Sequence, residues 1–296
     1  MSEFSIGLDE GTRILQESAG QFARERIATV AADCDQRSEL PLAVVDEAYA
    51  LGLINLSIPD TYGGSGLGNL DSVVVIEELA WGCAGITTSF VANDLALTPI
   101  VIAGTDAQKK QFLGELTAKR QLASFCLSEP GAGSDVASIS TRLTKVDGGY
   151  KLSGAKQWIT NGGLAAQYTV FATIDPTLKH KGLCAVVVPR DSKGITPGHH
   201  EDKLGQRASN TTTVTFDEVF VPQANLLGAE GEGFKIAMRT LDITRPFTAS
   251  IAVGIGRRAL EQAQAYALER KQFGKPIADF QAVQFMLADG ATNLEA

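Results

Sequence analysis

The chain has 296 residues, of which 44% are hydrophobic and 20% charged, and carries a net charge of -8. That length accommodates two or three domains with sizeable cores, since globular domains run about 100 to 200 residues. The acidic balance argues against a nucleic-acid surface, which needs clustered Lys and Arg, and no stretch approaches the roughly 18 uninterrupted apolar residues of a membrane span, so membrane insertion is not expected.

The start, Met1-Ser2-Glu3-Phe4-Ser5 with further acids at Asp9 and Glu10, lacks the basic opening of a secretory signal, so the cytoplasm is the expected compartment. From Asp9 onward Ile14, Leu15, Ala19, Phe22 and Ala23 follow the spacing of an amphipathic helix. Leu42 to Leu51 predicts a second helix, with Pro41 at its first position and Gly52 at its stop. The glycine-rich run from Ile58 to Gly68 predicts a loop, and it lacks the preceding strand or Gly-Lys-Ser/Thr ending of a phosphate cradle. Asp71 is expected to cap a helix from Ser72 to Gly82, followed by an apolar helix from Gly85 to Gly104 interrupted near Pro99, and another from Gln108 to Thr117. The adjacent acids Glu77 and Glu78 point about 100° apart on a helix, which suits a solvated or salt-bridged face better than paired acid/base chemistry.

After Gln121 the pattern becomes short strands: 123–127, 138–146, 150–154, 157–160, 168–173, 183–189 and 211–221, with a hairpin signal at Gly148-Gly149 and loops such as 194–200. This spacing predicts a compact barrel or sandwich and disfavours a Rossmann fold. His180, His199 and His200 lack partners at a metal spacing and read as surface loop residues. Cys34, Cys83, Cys126 and Cys184 are widely separated, as buried free thiols in a reducing compartment would be. Arg190, Lys193, Lys203 and Arg207 make the loops locally basic, through either a phosphorylated ligand or scattered solvated charges.

Glu230 to Phe234 leads into a helical pattern reaching about Arg270, which Pro246 should bend near its start and which Gly274 and Pro276 end. Residues 277–296 begin a further helix whose Val283, Phe285, Met286 and Leu287 have no later segment to cover them. The expected architecture is multi-domain α and β: an N-terminal all-α domain (1–121), a middle β-barrel-like domain (122–230) and the start of an incomplete C-terminal four-helix bundle (231–296).

Two segments share one plan. Phe125 to Asp135 is an apolar run that breaks into Pro130-Gly131-Ala132-Gly133, and Trp158-Ile159-Thr160 stops at Asn161-Gly162-Gly163, so each strand delivers its last side chains and amides to an open site. With Leu127-Ser128-Glu129-Pro130-Gly131-Ala132-Gly133-Ser134-Asp135, Trp158 to Gly162, Asp242-Ile243-Thr244-Arg245 and Arg270 to Pro276 in this order, the chain resembles the acyl-CoA dehydrogenase family, in particular its straight-chain, medium-chain-like members, over nearly its whole length.

The resemblance implies FAD between the middle and C-terminal domains, an acyl-CoA substrate, electron-transfer flavoprotein as partner and a homo-oligomer, a tetramer in the family. It implies a mitochondrial matrix location only for a form without its transit peptide. Phe125, Leu127, Ser128, Gly133 and Ser134 would approach FAD, Trp158 would pack on the flavin with Ile159 and Thr160 beside it, and Arg270, Gln272, Phe273 and Gln281 would reach the FAD of a neighbouring subunit. Ser134, Asp242, Thr244 and Arg245 would contact the acyl-CoA. The implied reaction is α,β-desaturation to a trans-2-enoyl-CoA. The α-proton needs a carboxylate base, which by resemblance lies beyond residue 296 or at the position held here by Thr244, so no catalytic residue is assigned and the chain is expected to be truncated before its base. Two other readings stay open: an acyl-CoA oxidase, and a noncatalytic CoA-binding or assembly protein.

Overall fold

The computed structural model describes residues 7–296, so the acidic start at Glu3 lies outside the described residues. Asp9 caps the first helix, its carboxylate accepting from the Thr12 amide at 2.8 Å and satisfying one of the donors that a helix start leaves open. Helix α1 (Glu10–Phe22) passes through a π turn at Ala23–Ile27 into α2 (Ala28–Arg37). α3 (Leu42–Ala50), α4 (Asn69–Gly82), α5 (Ala84–Ala103), α6 (Asp106–Lys109) and α7 (Glu115–Ala118) complete the N-terminal helical layer.

Two expectations here are corrected. Asp71 is not a cap: α4 starts two residues before it, and the Asp71 carboxylate accepts the Thr12 hydroxyl at 2.6 Å, tying α4 to α1. α5 is not interrupted at Pro99, because burial of Leu97, Thr98, Pro99 and Ile100 outweighs the roughly 3 kcal/mol that an internal proline costs. By length and composition α5 could cross a membrane, with a mean hydropathy of 1.5, but 72% of that window is buried inside the fold, as in a core helix.

The middle of the chain forms β1 (Ala123–Cys126), β2 (Arg142–Val146), β3 (Gly149–Thr160), β4 (Gln167–Thr173), β5 (Leu183–Pro189), β6 (Ile195–His200), β7 (Thr211–Pro222) and β8 (Leu226–Leu227). They make one eight-stranded sheet in the order β6-β7-β3-β2-β4-β5-β8, with β1 pairing β4. Only β1–β4 and a single β2–β4 pair, Arg142 with Thr173, are parallel, which rules out a repeated strand–helix unit. The segments 150–154 and 157–160 belong to one strand, β3, and residues 194–200, expected as a loop, contain β6. That strand escapes a sequence reading because Pro197 and Gly198 sit in it, which an edge strand tolerates.

β4 and β5 are buried on both faces. Tyr168, Val170, Ala172, Cys184, Val186 and Val188 meet Leu143, Tyr150, Leu152, Val214, Phe216 and Val219 across the inside of the folded sheet. Their alternate residues Phe171, Leu183, Ala185 and Val187 pack outward on Ala96, Leu97 and Ile100 of α5 and on Phe112 and Leu113. One strand pair thus serves two cores.

Helix α8 (Gly233–Glu269) has 37 residues, about 55 Å at 1.5 Å per residue, and runs unbroken through Pro246. It is seated at two glycines. A Cβ on Gly233 would lie 2.6 Å from the Cys184 backbone, and one on Gly254 would lie 2.4 Å from the Glu77 carbonyl oxygen and 3.0 Å from the Trp81 amide. Beside that crossing Arg257 donates to Glu77 at 2.8 Å and to both oxygens of Glu78 at 2.8 and 2.7 Å, so the Glu77–Glu78 face is salt-bridged and, at Glu78, buried. After α8, β9 (Lys271–Gln272) pairs with β10 (Lys275–Pro276), and α9 (Gln281–Glu295) leaves Phe285 and Met286 exposed.

The α4–α8 crossing admits a direct check. Gly254→Val is expected to lower stability by about 1–3 kcal/mol, read as a fall in Tm, because the neighbouring atoms are backbone or the Cβ of Ala80, which moves only with its backbone. Gly256→Ala, whose Cβ would meet only the tip of Leu294 at 3.2 Å, is expected to be neutral or stabilising by up to about 1 kcal/mol.

Candidate active site

A cavity of about 720 Å³ opens where the sheet, α5 and the first turns of α8 meet. One wall comes from the end of β1 and the turn after it: Phe125, Leu127, Ser128, Gly133, Ser134 and Asp135. The turn is closed by Glu129 and Ala132, which exchange backbone hydrogen bonds at 2.9 and 3.1 Å around Pro130-Gly131. A Cβ on Gly131 or Gly133 would meet nothing within 4 Å, so the backbone there is open to a ligand.

The second wall is a bulge in β3. Lys156 pairs with Val214 and Ile159 with Thr212, so Gln157 and Trp158 stand against Thr213 alone, which leaves an extra residue on β3. The Gln157 amide turns instead to the Ser128 carbonyl at 2.9 Å, and Trp158 takes a left-handed φ of 61°, unusual for a bulky side chain. Trp158 is 62% exposed and lines the cavity with Thr160. Ser128, Ser134 and Thr160 have no side-chain hydrogen bond to another described residue.

Apolar side chains complete the enclosure: Ala92 and Leu95 from α5, and Phe234, Met238 and Leu241 from α8 at helical spacing. A sequence reading places those three on an apolar stripe without saying which part of the stripe faces a cavity.

Beneath both walls lies a buried ion pair. The Lys156 ammonium, wholly buried, donates to Glu129 Oε1 at 2.8 Å and to the Leu127 carbonyl at 3.0 Å. Glu129 also accepts from the amides of Ser140 and Thr141 at 2.6 and 3.0 Å and from the Ser140 hydroxyl at 2.8 Å. Burial pushes the Glu129 carboxyl up, but the Lys156 charge and hydrogen bond, with the donors at residues 140 and 141, outweigh it and hold the group down at about 2. Burial lowers the Lys156 ammonium, and Glu129 offsets part of that. This pair escapes a sequence reading because its members stand 27 residues apart; the available signal was one charged residue inside each apolar motif.

The other expected residues fall elsewhere. Asp242 and Arg245 are exposed on α8, 3.5 Å apart as an ion pair, one residue and one turn past Leu241. Thr244 is buried, its hydroxyl donating to the Thr240 carbonyl at 2.9 Å as a mid-helix threonine does. Arg270, Gln272, Phe273 and Gln281 are exposed near the far end of α8 and do not line this cavity. The basic loop residues are largely engaged: Arg190 donates to Gly162 and Tyr168, Lys203 to Ser209 and Thr211, and Arg207 to Asp35 and Asp202. His180 and His199 are exposed, and His200 is half-buried against the Ser209 carbonyl.

Three family domains match most of the chain. Residues 9–120 match the acyl-CoA dehydrogenase N-terminal domain, 124–219 the middle domain and 231–296 the C-terminal domain. The chain belongs to the acyl-CoA dehydrogenase family. It is 43% identical to a probable medium-chain specific acyl-CoA dehydrogenase 2, mitochondrial, of Caenorhabditis briggsae, over 99% of this chain and 72% of that protein. Among solved structures it is similar to butyryl-CoA dehydrogenase from Megasphaera elsdenii, with a TM-score of 0.94 and 38% identity over 98% of this chain and 77% of the other. It is also similar to a chain in the structure described as the electron transferring flavoprotein of Acidaminococcus fermentans, with a TM-score of 0.95 and 37% identity over the same two shares.

Acyl-CoA dehydrogenases are FAD-dependent oxidoreductases, and the cavity of this dehydrogenase fits such a group. A planar ring can lie on the exposed face of Trp158, and the Ser128 and Thr160 hydroxyls are available to its polar edge.

The charge state of Glu129 sets a pH signature. Its folded value lies below the ordinary 4.5, so the stability from the pair is present above about pH 4.5 and lost as pH falls through about 2. Relative to the parent, Glu129→Gln is expected to lose about 3–5 kcal/mol at pH 6, with the difference shrinking below about pH 4.5 and closed once pH has fallen through about 2. Denaturant melts across pH check this, and a difference independent of pH contradicts a buried carboxylate.

Proposed function

We propose that the chain serves FAD-dependent α,β-dehydrogenation of short- to medium-length straight-chain fatty acyl-CoA thioesters to trans-2-enoyl-CoA, with electrons passed to electron-transfer flavoprotein. One observation carries this reading: Trp158 is held at a left-handed φ, exposed beside the Ser128 and Thr160 hydroxyls, on a cavity otherwise apolar toward α5 and α8. FAD, when bound, supplies the acceptor for the substrate's β hydrogen.

The protein's own residues supply position and exclusion of water. Phe125, Leu127, Gly133 and Ile159 shape the seat, Trp158 presents a flat face, and Ser128 and Thr160 offer hydroxyls to the flavin edge. Phe234, Met238 and Leu241 form a wall along which an acyl chain can lie out of water, with Ala92 and Leu95 opposite. Ser134 stands at the cavity rim, and Asp242 and Arg245 follow the α8 wall, where the polar CoA arm would leave. Arg270, Gln272, Phe273 and Gln281, exposed at the other end of α8, would reach the flavin of a second copy in a homo-oligomer such as a tetramer. The thiols at Cys34, Cys83, Cys126 and Cys184 are free, which suits a reducing compartment, whether cytoplasm or mitochondrial matrix.

Among the described lining residues the one carboxylate is Asp135, and it already accepts from the Ser138 hydroxyl. That engagement counts against Asp135 as the base for the substrate's α proton.

Butyryl-CoA and octanoyl-CoA are expected to perturb the absorbance of the FAD-loaded chain in anaerobic titrations, more strongly than a branched acyl-CoA does. The rate of flavin bleaching is expected to be unchanged in Asp135→Asn. Failure to retain FAD contradicts the flavoenzyme reading. Fast bleaching that Asp135→Asn abolishes makes Asp135 the base.

A further inference from the structure

Glu129 and Lys156 take no part in the chemistry above, yet each lies inside one of the two segments that form the flavin-facing walls. Glu129 follows Ser128 directly and closes the Pro130-Gly131 turn; Lys156 is the last paired residue of β3 before the bulge that carries Trp158. Three bonds join the segments here: Gln157 amide to Ser128 carbonyl at 2.9 Å, Lys156 ammonium to Leu127 carbonyl at 3.0 Å, and Lys156 ammonium to Glu129 carboxylate at 2.8 Å. The last two hang on one nitrogen. Glu129 carries the tie onward to the amides of Ser140 and Thr141, so the turn, the bulge and the lead into β2 meet at a single buried carboxylate.

An ion pair so deeply buried is a poor means of gaining stability, since a well-packed apolar pair of similar volume commonly stabilises as much or more. Its geometry is more restrictive than an apolar contact: Lys156 must hold two acceptors at once, and Glu129 must accept from four donors. Trp158, two residues on, sits at a φ that a free chain avoids and that its surroundings must enforce.

We propose that Lys156 and Glu129 are positioning residues: their buried pair fixes the β3 bulge against the β1 turn and so sets where the Trp158 face stands relative to the Ser128 and Thr160 hydroxyls. The inference rests on the proposed flavin seat for its consequence, though not for its geometry.

The test separates position from stability. In a Trp81→Phe background Trp158 is the sole tryptophan, so emission maximum and acrylamide quenching report on the bulge without any cofactor. The double substitution Lys156→Met with Glu129→Met is expected to melt within a few degrees of the parent, yet to shift the Trp158 emission and to weaken FAD binding at least 10-fold by flavin fluorescence titration. A double variant with the parent's Tm, emission and FAD affinity overturns the proposal and leaves the pair purely structural. Should the double variant not fold, Glu129→Gln, the same size as the parent residue, decides on the same readouts: a native far-ultraviolet spectrum with unaltered Trp158 emission overturns the proposal, and altered emission supports it. If the parent itself takes up no FAD, the flavin seat is wrong while the emission measurement still decides the positioning role.

Discussion

Everything in this molecule is arranged around β4 and β5 being covered on both faces. Antiparallel strands commonly leave one face to water, and their sequences then alternate; here every residue of β4 is buried, as is every residue of β5 but the half-buried Pro189 at its end. One face closes the folded sheet on itself through Val170 and Val186, and the other receives α5 and the first turns of α8. Because the outer face belongs to a helical layer, the helices cannot drift from the sheet without opening both cores. The cavity lies at the edge of that shared layer, beside Phe125, whose ring packs on Phe171 of β4 with centroids 4.9 Å apart.

Within this frame the two cavity walls differ in kind. The sheet side is polar at its tip and strained: a bulge, a left-handed tryptophan, and unpaired hydroxyls above a buried ion pair. The helical side is apolar and relaxed, built from side chains at ordinary helical spacing. A flat, hydrogen-bonding group belongs against the first and a flexible hydrocarbon against the second, which is the division of labour that the family's flavin and acyl chain require.

Much of this was legible in the sequence, and the part that was not shares one character. Periodicity marked the helices from Asp9, Leu42 and Phe234, and two apolar runs that end in glycine turns marked the site, because those signals are local. β6 was hidden because an edge strand bearing Pro197 and Gly198 is specified by its partner β7 and not by its own residues. The α5 break at Pro99 was expected from local propensity and prevented by tertiary burial. The Glu129–Lys156 pair and the choice of Phe234, Met238 and Leu241 as cavity wall depend on which segments meet, and a linear reading does not hold that information.

The two glycine seats of α8 have a mechanical consequence. Gly233 rests on the backbone of β5 and Gly254 on the backbone of α4, 21 residues or about 32 Å apart, and the cavity-facing residues from Phe234 to Leu241 lie between them. The stretch of helix between them is therefore a beam supported at both ends, with contacts at each support too close for sliding. A longer guest in the cavity pushes against a wall that resists deflection, so room for it has to be found on the opposite side, where Ala92 and Leu95 set the clearance.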